Sequence, residues 1–297
     1  MTAPDGFHDL TFDAYHALPA WGSSALRAMR MGPPARVLWE REHPRKDSDA
    51  TIRGTRAHSL ILTPHLFESR YVELPADAPE RPTPAMLAAK NPGASSVARQ
   101  EWWRAFEARA AGREALTAGE MAEVRAIRDA FYMKAAAREA MVGSAVERSI
   151  LWTCPTTGAR LKGRPDFYDE SHVYDLKITR DVGSRLAFAA YRNGWAHQLA
   201  HYRTGLKALG VEIETGRIVA VDPEPPHYVW CVEFRASDLD VLAMENERTV
   251  ARMAECEANG EWPGTPDCFE KIEIPQYAID AEAHALDLSG ATEVRDE

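Results

Sequence analysis

The chain has 297 residues, of which 45% are apolar and 27% are charged, and these are the proportions of a folded globular protein rather than a disordered or fibrous one. Its net charge of -10, from 35 basic and 45 acidic residues, argues against a protein that coats nucleic acid through bulk positive charge. A nuclease is not excluded, because clustered carboxylates can hold divalent cations that carry positive charge to a phosphate.

Two further features of the composition bear on location and cofactors. No run approaches the roughly 18 apolar residues that a membrane span needs, and the first ten residues lack the order of a signal peptide. We therefore expect a cytoplasmic protein without membrane contact. The four cysteines are widely spaced and form no CxxC pair, so we expect reduced thiols and no cysteine-held zinc or iron–sulfur site.

The first half of the chain is predicted to be mainly helical. A short helix capped by Ser23 or Ser24 should stop at the Gly-Pro-Pro that follows it, and residues 51–62 should form a second helix. Residues 75–97 are rich in proline, alanine and charge without clear periodicity, which predicts a surface loop. Helical patterning returns in residues 98–141.

The pattern changes at Ser149. Three short segments separated by turn-like residues predict the strands of a β-meander: SILWTC, ARLKGRPDFY and HVYDLKIT. A helix is expected over about 184–209, then two strands in RIVAVD and YVWCVEF, then a long helix over about 237–259. This order predicts an α/β fold in which helices flank a mixed central sheet.

The residues with the clearest chemistry lie in the predicted meander. Asp175 and Lys177 are two apart in one strand, so they share a face while Leu176 points into the opposite, apolar face. The hairpin should bring Asp166 alongside them. Two carboxylates and an ammonium at the end of a sheet suit a hard cation and a scissile phosphate. Buried without partners, such charges would be strongly destabilising.

An isolated Asp-x-Lys would ordinarily be an exposed part of a surface hairpin, but the preceding Gly-Arg-Pro-Asp favours a site. Pro165-Asp166 and Asp175-Leu176-Lys177 resemble the PD-(D/E)XK nuclease motif. On the helix that follows, Gln198 and Tyr202 are four residues apart and share one face. This spacing resembles the additional motif of the RecB-like branch of these nucleases.

A wider resemblance covers the chain from about Leu10 to Ala278. GTRAHSLIL, KGRPD, YDLKIT, GWAHQLAHY, EWPG and IPQYA are together similar to the nuclease domain of the RecE (exonuclease VIII) family and its phage relatives. It implies a restriction-endonuclease-like core within one nuclease domain, 1–297. That domain would comprise a mainly helical part over 1–148, a catalytic sheet core over 149–235, and a C-terminal helix and tail over 236–297.

The same resemblance implies a metal site. One or two Mg²⁺ ions, with Mn²⁺ as an alternative, would be held by His58, Asp166, Asp175 and the backbone carbonyl of Leu176. The competing interpretation of His58 is a structural or surface histidine. Glu147 could hold a second metal or orient water, or could be a solvated glutamate paired with Arg148 or Arg138.

Other residues have implied roles around the reacting phosphate. Lys177 would assist the nucleophile or stabilise charge, while Gln198 and Tyr202 would steady the DNA backbone or the surroundings of the metal. Lys162 and Arg164 could contact phosphates near the cut, with surface solubility as the alternative. His197 and His201 receive no role.

The resemblance implies processive 5′ to 3′ degradation of one strand of linear double-stranded DNA with free ends. It further implies a ring-shaped homo-oligomer, a trimer or tetramer, that works with a single-strand annealing protein in recombination. Two alternatives stay open: a RecB-like nuclease with other polarity or endonucleolytic action, and a protein of the same fold that binds DNA without cutting it.

Overall fold

The computed structural model of the protein describes residues 3–43, 47–274, 276, 279–280 and 282. The chain divides into two compact units, residues 1–262 and residues 263–297. In the second unit, residues 263–274 contain no helix or strand, and most of the IPQYA segment lies outside the described residues. Within the described ranges, no helix is both long enough and apolar enough to cross a membrane.

The N-terminal part is helical, as predicted, after one short strand. Its elements are β1 (Gly6–His8), α1 (Phe12–Ala17), α2 (Ser23–Met31), α3 (Ala35–Glu42), α4 (Asp49–Leu62) and α5 (Pro64–Arg70). The predicted serine cap of α2 is wrong, because Gly22 holds the N-cap position without a side-chain hydrogen bond. Helix α4 begins two residues before the predicted start because the Ser48 hydroxyl accepts a hydrogen bond from the Thr51 amide.

The region that follows contains four helices and three short strands. Its elements are β2 (Tyr71–Glu73), α6 (Pro84–Leu87), α7 (Ala94–Ala110), β3 (Glu114–Leu116), α8 (Ala118–Met133), α9 (Ala135–Met141) and β4 (Ala145–Val146). The predicted helical stretch 98–141 is broken by β3, which pairs in parallel with β2. Helix α7 ends where Ala111 and Gly112 adopt positive φ, and Thr117 caps α8 through a capping box with Glu120.

The predicted β-meander is wrong in one respect: its middle strand is two strands. The segment contains β5 (Ser149–Thr153), β6 (Arg160–Gly163), β7 (Phe167–Tyr168) and β8 (His172–Ile178). Strands β1, β5 and β6 form one sheet, whereas β7 and β8 belong to another. The break falls at Arg164, Pro165 and Asp166, where proline cannot donate a ladder hydrogen bond.

The remaining elements are the last two strands of the second sheet and three α-helices. They are α10 (Leu186–Arg192), α11 (Trp195–Ala208), β9 (Thr215–Val221), β10 (Val229–Glu233) and α12 (Ala236–Asn259). The predicted helix over 184–209 is divided at Gly194, whose φ of 78° ends one helix and starts the next. Strand β9 pairs in parallel with β8 and antiparallel with β10. The five-stranded sheet is therefore mixed, as predicted, in the order β10-β9-β8-β7-β4.

Apolar clusters cover both faces of this sheet. Val173 and Ile218 belong to a cluster that includes residues of α11 and α12. Tyr174 and Leu176, on the other face of β8, pack with residues of α4 and α8. Because both faces are buried, a charged side chain within β8 has no route to bulk water along the sheet face.

Helix α11 crosses very close to strand β5, and Gly205 permits this approach. A Cβ added at Gly205 would lie 2.6 Å from the Trp152 ring and 2.8 Å from Ile150. We predict that Gly205→Ala lowers the free energy of unfolding by about 1–3 kcal/mol in urea denaturation, because a full core must move apart.

Gly119, in α8, is the matched control. No atom lies within 4 Å of a Cβ built there, so Gly119→Ala should leave stability unchanged or raise it by up to about 1 kcal/mol. A Gly205→Ala protein as stable as the wild type would contradict the tight crossing of α11.

Candidate active site at the central strand of the mixed sheet

Asp166 lies at the junction between β6 and β7. Its Oδ2 accepts a hydrogen bond of 2.6 Å from the Leu176 amide, and its Oδ1 lies 3.1 Å from His58 Nε2. His58 comes from α4, and its Nδ1 lies 3.5 Å from a carboxylate oxygen of Glu147. The fold thus brings His58, from the N-terminal half, against the first acidic residue of the motif.

Glu147 has an unusual backbone conformation. Its φ is 46°, in the left-handed region that non-glycine residues rarely occupy. Its amide donates a 2.9 Å hydrogen bond to the Asp166 carbonyl, and its side chain pairs with Arg164 at 3.2 Å as well as with His58. The predicted alternative pairing with Arg148 or Arg138 is therefore wrong.

Asp175 and Lys177 lie on one face of β8, as predicted. The Asp175 side chain is fully buried, and neither carboxylate oxygen has a well-aligned hydrogen-bond donor among the described residues. The Lys177 ammonium lies 2.7 Å from Oδ2 as an ion pair. The exposed surface hairpin that a lone Asp-x-Lys would form is excluded by this burial.

The pKa shifts at this site follow from burial and charge together. Burial raises the pKa of Asp175 to about 6, although the Lys177 ammonium opposes the rise. Burial would also raise the pKa of Asp166, but the charge and hydrogen bond of His58 outweigh it and leave that pKa below its usual value. Burial lowers the pKa of Lys177 and of His58, and the neighbouring carboxylates reverse both effects, so both pKa values are raised. Adjacent carboxyl groups with opposed shifts are typical of functional sites.

Gln198 and Tyr202 extend this network along α11. Lys177 Nζ donates to Gln198 Oε1 at 3.3 Å, and Gln198 Nε2 donates to the Tyr202 hydroxyl at 2.7 Å. Tyr202 is buried, and a Cβ at Gly163 would lie 3.0 Å from its ring. Gln198 therefore contacts Lys177 directly, whereas Tyr202 contacts it only through Gln198.

A cleft of about 340 Å³ opens beside Lys177 and Gln198. Its remaining walls come from the start of α2 and from the junction of α10 and α11, through Ser23, Ser24, Arg27, Asn193, Gly194 and Trp195. The lining contains two cationic side chains and no acidic one. The buried Nε of Arg27 has no hydrogen-bond partner among the described residues.

Arg27 and Trp195 also line this cleft, and neither was predicted from the sequence. Helical spacing contained a signal for Trp195, because it precedes Gln198 by three residues and so shares its face. Its ring centre lies 5.6 Å from Lys177 Nζ, a cation–π distance. No comparable signal pointed to Arg27, since it reaches the cleft only through the packing of α2 against the start of α11.

The carboxylates of Asp166 and Asp175 are suitable ligands for a hard divalent cation. No three acidic, histidine or cysteine side chains converge as a ready-made cage in the part of the chain that the structure describes. Mg²⁺ sites, however, commonly use one or two carboxylates and complete the shell with water and phosphate oxygens. The buried carboxylate of Asp175, with Lys177 as its close partner among the described residues, and the nearby carboxylate of Asp166 suit such a site.

A protein family described as a PDDEXK-like domain of unknown function (DUF3799) matches residues 22–275. The chain belongs to this family. The match spans His58, both aspartates, Lys177 and the helix that carries Gln198. The predicted membership of the PD-(D/E)XK superfamily is therefore confirmed.

A solved structure shares the fold of this PDDEXK-like domain. A candidate exonuclease from Eubacterium rectale is 13% identical, with a TM-score of 0.57 over 92% of this chain and 98% of that one. At this identity, the likeness shows a common fold. An alkaline exonuclease from Laribacter hongkongensis is 14% identical over 59% of this chain and 88% of its own, with a TM-score of only 0.27. No curated protein matches the chain significantly.

The predicted phosphate contact of Lys162 is wrong. Its side chain is buried, and Nζ donates to the carbonyls of Tyr15, His16 and Leu18 at 3.0–3.2 Å. An ammonium has three donors, so none is left for DNA. Arg164 is likewise directed inward, donating to the Leu10 carbonyl at 2.9 Å and to Glu147.

In this PDDEXK-like domain, Lys162 should therefore stabilise the packing of the N-terminal segment against β6. We predict that Lys162→Met lowers the free energy of unfolding by about 1–3 kcal/mol because three carbonyls lose their donor. Urea denaturation measures this. Lys207→Met is the control, since that side chain is 55% exposed and should change stability by less than about 0.5 kcal/mol. A loss of DNA affinity at unchanged stability would contradict the assignment.

His201, which received no functional role, is buried and donates from Nε2 to the Lys162 carbonyl at 2.9 Å. Burial lowers its pKa to about 4. Since this lies below the unfolded value of about 6.5, the stabilisation is complete above pH 6.5 and is lost as the pH falls towards 4.

We predict that the wild type loses about 2 kcal/mol more stability than His201→Gln between pH 7.5 and pH 5. Glutamine can donate to the same carbonyl but does not titrate. Urea denaturation at each pH measures the difference. Parallel pH profiles for the two proteins would show that His201 does not titrate below its ordinary range.

Proposed function

We propose that this chain is a metal-dependent nuclease that hydrolyses phosphodiester bonds of DNA. The observation that carries the proposal is the fully buried Asp175 carboxylate, whose close partner among the described residues is the Lys177 ammonium 2.7 Å away. It lies in a strand whose Leu176 amide fixes Asp166. A buried charge arranged in this way is destabilising unless a ligand uses it. The adjoining cleft, with cations and no acid in its lining, suits a phosphate backbone.

In the proposed site, Asp166 and Asp175 hold a divalent cation, Mg²⁺ or Mn²⁺, with the Leu176 carbonyl as a further ligand. When bound, the cation lowers the pKa of water and neutralises charge on the phosphate. His58 would be a further ligand in its neutral form or would orient Asp166 in its charged form. Glu147 lies beyond His58 and would hold a second cation or set the position of His58.

Lys177 is proposed to act on the reacting phosphate. Its ammonium lies between Asp175 and Gln198 and faces the cleft, where it can stabilise charge in the transition state or assist the nucleophile. Gln198 holds the ammonium from the other side. Tyr202 is proposed to fix Gln198, because its hydroxyl accepts from the Gln198 amide.

The finer activity we propose is exonucleolytic, 5′ to 3′, on linear double-stranded DNA. Support comes from the motifs shared with the RecE family and from the Eubacterium rectale protein of the same fold, described as a candidate exonuclease. A ring-shaped trimer or tetramer and an annealing partner in recombination are part of the same proposal. Digestion of linear duplexes with one end of either strand blocked, and of circular DNA, tests activity, end requirement and polarity together.

Two substitutions separate chemistry from folding. We predict that Asp175→Asn lowers the rate of DNA hydrolysis about a thousandfold or more, equivalent to at least about 4 kcal/mol. The amide keeps the shape but leaves the Lys177 ammonium without its carboxylate partner, so we expect the free energy of unfolding to fall by up to about 3–5 kcal/mol. The rate is therefore compared at a temperature at which circular dichroism shows that the variant is folded. Lys177→Met should leave metal affinity intact and reduce turnover at saturating metal.

Asp240→Asn and Lys207→Met are the matched controls, with side chains 64% and 55% exposed, and both should hydrolyse DNA like the wild type. Metal affinity is measured by calorimetry and turnover on labelled linear duplex. If Asp175→Asn hydrolysed DNA at the wild-type rate, the proposed role of Asp175 in the metal site would be wrong. Normal turnover by Lys177→Met, with weakened metal affinity, would remove Lys177 from the transition state.

A further inference from the structure

The outer face of α10 carries two large aromatic side chains that pack against little of the protein. Phe188 and Tyr191 are 66% and 64% exposed and lie three residues apart, on the same side of the helix. The opposite side is fully anchored, since Leu186, Ala189 and Ala190 are buried. The aromatic exposure therefore belongs to a well-packed helix and not to a loose one.

The charged residues of the segment that carries these rings are all basic. Residues 184–192 contain Arg185 and Arg192 and no acidic residue, in a chain whose net charge is -10. The Arg192 guanidinium lies 5.5 Å from the Phe188 ring centre and 3.6 Å from Asp181. Arg185 donates to the Arg180 carbonyl. Exposed rings beside arginines are complementary to a ligand with flat apolar faces and negative charge.

This face adjoins the candidate active site. Helix α10 ends at Arg192, and the next three residues, Asn193, Gly194 and Trp195, form a wall of the cleft that Lys177 lines. Tyr191 is two residues from that wall. A chain of nucleotides with one phosphate at Lys177 would therefore pass the end of α10 as it leaves the cleft.

We propose that the outer face of α10 binds unpaired bases of the DNA strand, by stacking on Phe188 and Tyr191. The rings are accessible from solvent, and base stacking on aromatic side chains tolerates any sequence. Bases inside an intact duplex are already stacked on each other, so this surface favours a frayed or single-stranded end. The inference rests on the proposed nuclease function and adds to it a preference for unpaired nucleotides beside the site.

The test measures binding separately from hydrolysis. Fluorescence anisotropy of the full chain in EDTA gives the affinity for two labelled duplexes: one with a frayed single-stranded end and one with both ends closed by hairpin loops. Phe188→Ala combined with Tyr191→Ala should weaken binding of the frayed duplex about tenfold or more. Binding of the closed duplex should change by less than about twofold, since a closed duplex offers few unpaired bases for stacking.

Two further pairs of substitutions define the chemistry. Leucine at both positions keeps apolar surface but has no flat ring, so it should lose affinity as alanine does. Phe188→Tyr with Tyr191→Phe keeps both rings and should bind like the wild type. Val241→Ala with Met244→Ala removes an equally exposed pair, 64% and 58%, also three residues apart on a helix, and should leave both affinities unchanged.

Several results would overturn the inference. Wild-type affinity for the frayed duplex in the alanine pair, or an equal loss on both duplexes, excludes a stacking surface. Full binding by the leucine pair indicates apolar docking instead, and a change in oligomeric state by sedimentation identifies a contact between copies of the chain. A wild type that neither binds nor cuts DNA overturns the proposed function as well, whereas a wild type that cuts DNA without depending on these rings overturns only the inference about α10.

Discussion

The buried carboxylate of Asp175 is the constraint around which the site is organised. A charge in the middle of a sheet covered on both faces is destabilising unless it has partners. Among the described residues the one strong partner of Asp175 is the Lys177 ammonium, 2.7 Å away. Burial and the nearby Asp166 together raise the pKa of Asp175. In the proposed site, a bound cation would stabilise this buried carboxylate.

The second acidic residue is held by a different device. Asp166 follows Pro165, at the point where the chain leaves the sheet of β1, β5 and β6 and enters the sheet of β7 and β8. Proline cannot donate a ladder hydrogen bond, and the pairing of β7 with β8 begins only at Phe167 and Tyr174. Beyond that pair, the Leu176 amide donates to the Asp166 carboxylate. The Glu147 amide, in a left-handed conformation, donates to the Asp166 carbonyl. The motif residues are thereby fixed by backbone hydrogen bonds as well as by side chains.

Cationic groups near the site divide into two sets with different tasks. Lys162 and Arg164 bind carbonyls and Glu147 inside the protein, and so they join the N-terminal segment to the sheet. Lys177 and Arg27 line the cleft. An overall negative chain can therefore present positive charge where a phosphate would lie, through local placement and without a bulk basic surface.

The sequence by itself indicated the superfamily through the resemblance of its motifs, and the mixed sheet through the order of its predicted elements. The sharing of one face by Asp175 and Lys177 follows from the two-residue period of a strand. Pro165 marks a possible break in the middle strand, but the sequence did not show that the two halves join different sheets. The sequence also did not predict the partners of Lys162. The strand pattern is the same whether the lysine side chain faces water or the carbonyls of Tyr15, His16 and Leu18. Only the tertiary structure decided these points, because sheet membership depends on which strands pair, and the Lys162 contacts join residues more than a hundred positions apart.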